Sequence, residues 1–239
     1  MNISFTPLGD QTIVIEFGQH IDEEIHVRVM AAMDYLERNS FNWLVEYIPT
    51  FTTLTVLYDP VKVMKHYGIN DRSKIPYQFV QQEIEQAITS VTSENKGIQR
   101  EIEIPVCYGG TFGPDLGFVA KHHCINEQDV IDIHTKGNYL VYMIGFAPGF
   151  PYIGGMSSEI ATPRKKSPRF NLPAGTVGIA GQQTGIYPLE TPGGWQLIGK
   201  TPLALFQPKN SKPSLLRAGD KVRFKAINKD EYDRLEGRL

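Results

Sequence analysis

YLVYMI (residues 139–144) is a short, mostly apolar run that a glycine- and proline-rich segment interrupts on its carboxyl side. Three comparable runs occur after residue 100, namely EIEIP (101–105), TVGI (176–179) and KVRF (221–224). Runs of about four to eight strand-forming residues bounded by turn residues are typical of short β-strands. Because several such strands recur, the sequence predicts a closed or nearly closed β-barrel in this part of the chain.

The first run continues into GFAPGFPYIGG (145–155), and a segment of the same character, TPGGWQLIG, occupies 191–199. Pro148, Pro151 and Pro192 cannot donate a hydrogen bond into a sheet, so we expect both segments at the opening of the barrel. An aromatic rim there would serve a small ligand or a protein partner. The alternative is that the rings form the body of the barrel core. The rings concerned are Phe146, Phe150, Tyr152, Tyr187 and Trp195.

The amino-terminal part of the chain predicts an α+β arrangement. Runs at 3–5 and 12–17 indicate a hairpin, and runs at 43–48 and 53–58 indicate a second strand pair. Helices are expected between and after these pairs, the first capped by Asp22. Strands and helices in this proportion favour a small α/β sandwich as the amino-terminal domain.

TSENKGIQ (92–99) is polar and has no periodicity, which is typical of a domain boundary. The predicted domains are therefore 1–93, the α/β sandwich, and 98–239, the barrel. Within the second domain, Asn126 and Asp129 form a capping-box pattern that begins a helix. Other helix signals lie nearby: Asp115 is expected to cap a helix through Val119, and Gly137 to end the helix that Asn126 begins.

The 239 residues carry a formal net charge of −2, so neither nucleic acid nor an anionic membrane is expected as a partner. Cys107 and Cys124 form no C-x-x-C pair, and reduced thiols suit the cytoplasm. The sequence starts without a signal-peptide pattern and contains no run of about 18 apolar residues. We therefore expect a cytoplasmic protein that neither is exported nor spans a membrane.

Histidine and cysteine side chains predict no metal site. His122, His123 and Cys124 are neighbours in sequence, and neighbours on a helix point about 100° apart, so they cannot converge on one ion. His134, near Asp132, is a weak candidate for a general base. The competing explanation is a favourable positive charge in the last turn of its helix. No signature of a serine or cysteine nucleophile is present.

GWQLIGKT (194–201) matches the phosphate-loop pattern letter for letter. A phosphate loop follows a buried strand and opens a helix, whereas prolines flank this string on both sides. The alternation within it suits a strand. We therefore expect no phosphate loop here.

RKKSPR (164–169) places four cations between the two Gly/Pro/aromatic segments. A solvated loop explains most charge clusters of this kind. The functional alternative is that Arg164 or Arg169 binds a carboxylate or phosphate, because guanidinium groups bind such anions through two hydrogen bonds.

These motifs resemble the family of 5-oxoprolinase B subunits, also called the KipI or allophanate hydrolase subunit 1 family. The resemblance extends over nearly the whole chain and includes long, specific strings. They are Gly109-Gly110, GPDL (113–116), GFAPGFPYI (145–153), TPR (162–164), Pro168-Arg169, PAG (173–175), QTG (183–185), Tyr187-Pro188 and TPGGWQLIG (191–199).

The resemblance implies a small α+β domain followed by a cyclophilin-like β-barrel. It also implies a non-autonomous component of an enzyme: the B subunit pairs with the C subunit, and together with the A subunit the assembly opens 5-oxoproline to glutamate at the expense of ATP. The lactam would be activated by phosphorylation before the A subunit hydrolyses it. ATP would bind either on this chain or on its partner.

Two other activities are implied as alternatives. One member of the family inhibits a sporulation sensor histidine kinase by binding its dimerisation helices, and the aromatic rim would then dock a helix pair. Another branch resembles the carboxyltransferase component of allophanate hydrolase and urea carboxylase.

The implied substrate site combines cations with hydrogen-bonding side chains. Arg164, Lys166 and Arg169 would hold the substrate carboxylate or phosphate. Gln182, Gln183 and Tyr187 would hydrogen-bond the lactam. The Gly/Pro/aromatic segments would contribute Phe146, Pro148, Gly149, Phe150, Gly193, Gly194 and Trp195.

Overall fold

The computed structural model describes residues 3–71, 73–90 and 100–236. The chain divides into two compact units, Met1–Ile98 and Gln99–Leu239. The predicted boundary segment 92–99 lies outside the described residues. Within the described ranges, no helix combines the length and the apolar character needed to cross a bilayer.

Within its described residues, the amino-terminal unit consists of a four-stranded antiparallel sheet and three helices. The strands are β1 (Ser4–Pro7), β2 (Thr12–Glu16), β3 (Leu44–Pro49) and β4 (Thr53–Tyr58). The helices are α1 (Glu23–Asn39), α2 (Pro60–His66) and α3 (Pro76–Ser90). The sheet order is β1-β2-β4-β3, so both predicted strand pairs are present.

Local capping signals explain where these helices begin. The Asp22 carboxylate accepts hydrogen bonds from the backbone N–H groups of Glu24, at 2.8 Å, and Ile25, at 3.2 Å, as the sequence predicts. Helix α2 is not predicted, because seven residues are too few to show a periodic pattern. It begins where Asp59 caps the backbone N–H of Val61 at 2.9 Å and Pro60 occupies the first turn.

The second unit contains nine strands within the described residues. They are β5 (Glu101–Tyr108), β6 (Tyr139–Ile144), β7 (Pro151–Gly154), β8 (Arg169–Leu172), β9 (Thr176–Ala180), β10 (Gln183–Ile186), β11 (Thr191–Gly193), β12 (Gln196–Lys200) and β13 (Lys221–Ile227). Seven of them form a closed barrel in the order β10-β7-β6-β13-β5-β12-β9. The predicted α+β class and the predicted closed barrel are confirmed.

Strands β8 and β11 leave the barrel and pair with each other as a separate two-stranded ribbon. In the barrel itself, β13 runs parallel to β5 and the other pairs are antiparallel. Strand β12 pairs with both β5 and β9, so the string that matches the phosphate-loop pattern is a central strand. Its backbone N–H groups belong to a sheet, which confirms that it is no phosphate loop.

Helices α4 (Leu116–His122), α5 (Glu127–Lys136) and α6 (Lys229–Glu236) accompany the barrel. The predicted capping box at α5 is present: the Asn126 side chain accepts from Asp129 N at 2.8 Å, and the Asp129 side chain accepts from Asn126 N at 3.1 Å. Helix α4 begins after Asp115, but the Asp115 side chain makes no capping hydrogen bond. The capping role predicted for Asp115 is therefore wrong.

Candidate functional site

A cluster of aromatic side chains lies apart from the apolar core of the barrel. Phe150, Tyr187 and Trp195 are each no more than 5% exposed and meet edge to face. The ring centroids are 5.4 Å apart for Phe150 and Tyr187 and 5.7 Å apart for Phe150 and Trp195. Leu172 of the β8–β11 ribbon and Leu197 of β12 pack into the same cluster. We call these five residues the aromatic cluster.

The expected position of Phe150 at an exposed rim is therefore wrong. Pro151 lies in β7 opposite Ile144, the last residue of β6, so the missing N–H falls where that strand pair ends. The chain then remains close to the barrel, and the Phe150 ring turns inward. Phe146 and Pro148 do lie at the surface, with Phe146 69% exposed.

The turn before β7 holds Phe146 in an unusual conformation. Its φ angle is 69°, in the left-handed region that side chains other than glycine rarely adopt. Hydrogen bonds from Gly145 N to Phe150 O, at 3.0 Å, and from Ala147 N to Gly145 O, at 2.8 Å, enforce this backbone path. Gly149 is buried at φ 79°, where an added Cβ would lie 2.9 Å from Cβ of Phe206. Such strain is typical of ligand-binding turns.

The basic run 164–169 does not present all of its cations to solvent. The Arg169 guanidinium donates two hydrogen bonds of 2.8 Å to the carboxylate of Asp115, and Lys165 Nζ lies 3.3 Å from the same carboxylate. Asp115 is buried and also accepts from the backbone N–H of Leu197 at 2.8 Å. Two of the five N–H groups of Arg169 are thus directed at Asp115, and contact between Arg169 and an anionic ligand stays a prediction.

Opposing effects determine the charge of Asp115. Burial alone raises the pKa of this carboxyl. The hydrogen bonds from Arg169 and Leu197, together with the positive charges of Arg169 and Lys165, outweigh burial and lower the pKa below its usual value. Asp115 is therefore ionised at neutral pH.

Arg164 and Lys166 are the exposed cations of this segment. The guanidinium carbon of Arg164 lies 5.7 Å from the ring centroid of Trp195, in cation–π range. The structure thus brings Arg164 to the edge of the aromatic cluster. The basic run predicted an anion as the partner of Arg164 and gave no indication of the aromatic one.

Hydrogen bonds attach the basic segment, and the two residues before it, to neighbouring parts of the barrel unit. Lys165 N donates to Gly194 O at 2.7 Å, and the Gln196 side chain donates to Pro163 O at 2.8 Å. Gly181 N donates to Thr162 O at 2.8 Å, which places the β9–β10 turn beside the segment. That turn carries two more of the predicted site residues, the exposed Gln182 and the half-buried Gln183.

Tyr187 and Gly193 are in direct proximity. A Cβ at Gly193 would overlap the Tyr187 hydroxyl and the side chain of Leu172, so only glycine fits there. Burial raises the pKa of Tyr187, although the N–H of Trp195 and the charges of Arg164 and Arg169 act in the opposite direction. The phenol therefore stays protonated at neutral pH and keeps its O–H as a donor.

His134 belongs to a different environment from the other predicted residues. It is fully buried, and the rings of Tyr139 and Phe224 pack against it with centroids 5.5 and 4.4 Å away. Its ring nitrogens meet the Tyr108 hydroxyl at 2.7 Å and Thr184 Oγ1 at 2.9 Å.

Hydrogen bonding of Thr184 sets the protonation of the His134 ring. Thr184 donates its hydroxyl proton to Gly178 O at 3.1 Å, so it accepts from the Nε2–H of His134, and Nδ1 accepts from Tyr108. Burial lowers the pKa of His134 to about 3. The ring is neutral at pH 7, so the explanation by a favourable positive charge is wrong. The role of His134 as a general base stays a prediction. Both ring nitrogens bind protein side chains, and neither faces solvent.

Two further observations concern ligands outside this region. A cavity of about 510 Å³ lies in the amino-terminal unit, beside Pro60, Met64, Ile69 and Pro76. The sequence contains no binding motif there. Among the described residues, no group of three or more His, Cys, Asp or Glu side chains is close enough to hold a metal ion.

The fold defines a class of protein in which an α+β unit is followed by a unit with a closed β-barrel. The family described as "Carboxyltransferase domain, subdomain C and D" matches residues 3–216. The B subunit of the 5-oxoprolinase of Bacillus subtilis (strain 168) is 53% identical over 227 residues, which cover 94% of this chain and 93% of that protein. The chain therefore belongs to the family of 5-oxoprolinase B subunits.

Solved structures agree with this fold. TTHA0988 is similar with a TM-score of 0.76 at 33% identity, over 91% of this chain and 40% of that one. This chain thus spans less than half the length of TTHA0988. The urea amidolyase of K. lactis gives a TM-score of 0.70 at 19% identity, over 97% of this chain and 15% of that chain. The latter likeness concerns the fold alone.

Proposed function

We propose that this chain is the B subunit of an ATP-dependent 5-oxoprolinase, which converts 5-oxoproline to glutamate together with the C and A subunits. The observation that carries the proposal is the 53% identity to a 5-oxoprolinase B subunit over nearly the full length of both proteins. The site chemistry supports it, because 5-oxoproline is an anion at neutral pH and the segment beside the aromatic cluster carries the exposed cations Arg164 and Lys166.

The division of tasks within the site follows from burial. Arg164 is exposed and therefore able to donate two hydrogen bonds to a carboxylate or phosphoryl oxygen pair. The aromatic cluster beneath it excludes water from one side, which strengthens that interaction. Gln182 and Gln183 offer amide groups to the lactam from the adjacent turn.

ATP would transfer its terminal phosphoryl group to the lactam oxygen, with ADP as the leaving group, and the phosphorylated lactam carbon would then be a better electrophile for the water that opens the ring. Beside the aromatic cluster, the exposed cations Arg164 and Lys166 suit the phosphate part of a nucleotide, whereas the string 194–201 is a barrel strand. Their contribution would be to stabilise negative charge on the transferred group. We propose that the remaining contacts to ATP come from the C subunit.

The decisive experiment reconstitutes the complete complex. The chain is purified with the C and A subunits, and ATP-dependent release of glutamate from 5-oxoproline is measured, with each protein omitted in turn. We expect turnover only with all three proteins present. Absence of turnover in the complete mixture, with all three proteins folded and associated, would refute the proposed function.

Exposed aromatic side chains favour kinase inhibition as a second candidate function. Phe170 is 94% exposed on the ribbon and Phe146 is 69% exposed, and large exposed rings are typical of protein contact surfaces. Titration of the chain into the dimerisation domain of a sensor histidine kinase tests this candidate. Lack of saturable binding at micromolar concentration removes it. A carboxyltransferase role, as in urea carboxylase, rests on the fold likeness and stays the third alternative.

A further inference from the structure

Asp115 links the two elements that create the cationic edge of the aromatic cluster. Its backbone N–H donates to Leu197 O at 2.8 Å, and its carboxylate accepts from Leu197 N at 2.8 Å. This attaches Asp115 to β12, two residues after Trp195. The same carboxylate binds the side chains of Lys165 and Arg169. One buried carboxylate therefore ties the segment that carries Arg164 to the strand that follows Trp195.

The position of Asp115 is itself enforced by its surroundings. Gly113, two residues earlier, lies against the backbone of Ile198, and an added Cβ would overlap the Ile198 carbonyl group. Gly113 N donates to Gly109 O at 2.8 Å. The turn before α4 can therefore approach β12 closely enough for the carboxylate to bridge to the basic segment.

Pairing with Asp115 also distinguishes the four cations of this segment from one another. Residues 161–175 contain four basic side chains and no acidic one. Asp115 binds two of these cations, Lys165 and Arg169, and therefore leaves a local excess of positive charge. Arg164 stands outside this pairing, with its guanidinium over Trp195. Arg164 is the neighbour of Lys165 in sequence, so the ion pair between Lys165 and Asp115 restricts the positions that the Arg164 side chain can reach.

We propose that Asp115 is a positioning residue, which holds the segment 165–169 so that Arg164 stands over Trp195 and receives the anionic group of the ligand. Arg169 acts through this clamp and makes no ligand contact of its own. The inference rests on the proposed function for the identity of the ligand, 5-oxoproline. The placement of Arg164 by Asp115 is independent of it.

The test uses a double variant that keeps the local charge constant. Asp115→Asn with Arg169→Gln removes one negative and one positive charge, so a change in binding reflects position rather than net charge. The matched control is Asp220→Asn with Arg100→Gln. Asp220 is also buried, lies 3.2 Å from Arg100 and accepts from Arg217 N at 2.9 Å. Within the described residues, no hydrogen bond or ion pair joins it to 164–169.

The first measurement is the KM for 5-oxoproline in the complete complex. Arg164→Gln should raise KM about tenfold or more, the size expected for a lost charge-assisted hydrogen bond. The Asp115/Arg169 double variant should raise KM several-fold and change kcat in the same direction as Arg164→Gln does, because both changes remove Arg164 from the ligand. Adding Arg164→Gln to it should raise KM no further than Arg164→Gln alone, because Asp115 acts through Arg164. Multiplicative effects, or an unchanged KM in the double variant, overturn the proposal.

The second measurement needs no catalytic activity. In the isolated chain labelled with ¹⁵N-arginine, the Nε–Hε signal of Arg164 is identified by its loss in Arg164→Gln. We expect this signal to be displaced by the ring current of Trp195, to return to the position of a solvated arginine in the double variant, and to stay displaced in the control. If the Arg164 signal stays displaced in the double variant, the proposal is overturned. This result is independent of turnover, so it can be told apart from a failure of the proposed function.

A milder variant decides the matter if the double variant fails to fold. Lys165→Gln removes the pairing next to Arg164 and keeps the Asp115–Arg169 pair. It should shift the Arg164 signal partway to the solvated position and raise KM in the same direction. If both stay unchanged in folded Lys165→Gln and also in folded Arg169→Gln, which removes the other pairing, Asp115 does not position Arg164.

Discussion

Acidification should destabilise the barrel unit through His134, and the structure gives the size of the effect. An unfolded histidine has a pKa near 6.5, whereas burial lowers the pKa of His134 to about 3 in the fold. The unfolded chain therefore binds a proton that the folded chain excludes. The stabilising effect of a neutral His134 is complete above pH 6.5 and is lost as the pH falls toward 3.

The slope in this window is about 1.4 kcal/mol per pH unit for one proton. From pH 7 to pH 4.5 the barrel unit should thus lose roughly 2–3 kcal/mol of unfolding free energy through this residue alone. The pKa of Asp115 lies below the usual 3.8, so the stability lost when Asp115 is protonated falls mainly below pH 4.5. Burial raises the pKa of Asp220, so the protonation of Asp220 in acid acts in the opposite direction.

The assay isolates His134 from these other groups by comparison with His134→Gln. A glutamine side chain cannot titrate and retains one acceptor and one donor for Tyr108 and Thr184. Both proteins carry Trp43→Phe, which leaves Trp195, in the barrel unit, as the single tryptophan of the chain. Urea unfolding is followed by Trp195 emission between pH 7 and 4.5, so that the other titrating groups cancel in the difference.

We expect the unfolding free energy of the His134 protein, relative to that of the His134→Gln protein, to fall by roughly 2–3 kcal/mol across this range. A difference that stays constant within about 0.5 kcal/mol would show that His134 is protonated as easily in the fold as in the unfolded chain. The assignment of a neutral, Nε2-protonated ring hydrogen-bonded to Thr184 would then be wrong.

Three further predictions concern packing around the aromatic cluster. Phe150→Ala should lower the unfolding free energy by about 3–5 kcal/mol, while the exposed Phe146→Ala costs less than about 1 kcal/mol; equal losses in urea unfolding would contradict the burial of Phe150. Phe146→Gly should be more stable than Phe146→Ala by about 1 kcal/mol, since φ 69° favours glycine, and a reversed order would contradict that backbone conformation. Gly193→Ala should cost about 1–3 kcal/mol because its Cβ meets Tyr187, whereas Gly194→Ala, with its nearest contact at 3.7 Å, should be tolerated; similar melting of both variants would argue against the fit.

Elements with a local cause could be predicted from the sequence. The caps at Asp22 and Asn126 form between residues two or three positions apart, so the sequence alone contains both partners. Four of the barrel strands are predictable because turn residues bound their runs at 101–105, 139–144, 176–179 and 221–224, whereas β7 and β10 were not predicted as strands. The exit of β8 and β11 into a ribbon is not predictable in this way, since it depends on pairing between residues as distant as Leu172 and Thr191 and on the closure of the barrel without them.

The composition of the aromatic segments did not indicate the exposure of each ring. The argument from proline is sound for the backbone, because Pro151 sits where a strand pair ends. The same argument does not determine whether the adjacent Phe150 side chain points outward or inward. Phe150 turns inward because Leu172 of the ribbon and Leu197 of β12 provide apolar partners, and these come from distant parts of the sequence.

The basic segment shows most clearly what a sequence motif omits. Arg164 and Arg169 are the same residue type in one short run, and composition cannot separate them. A carboxylate 54 positions away binds Arg169, raises its pKa and withdraws its paired donors from any ligand. Arg164 has the aromatic face of Trp195 as its partner instead, and an aromatic face leaves the N–H groups free to donate. Asp115, whose own sequence context indicated only a helix cap, therefore separates the ion-paired Arg169 from Arg164, the arginine that we propose for ligand binding.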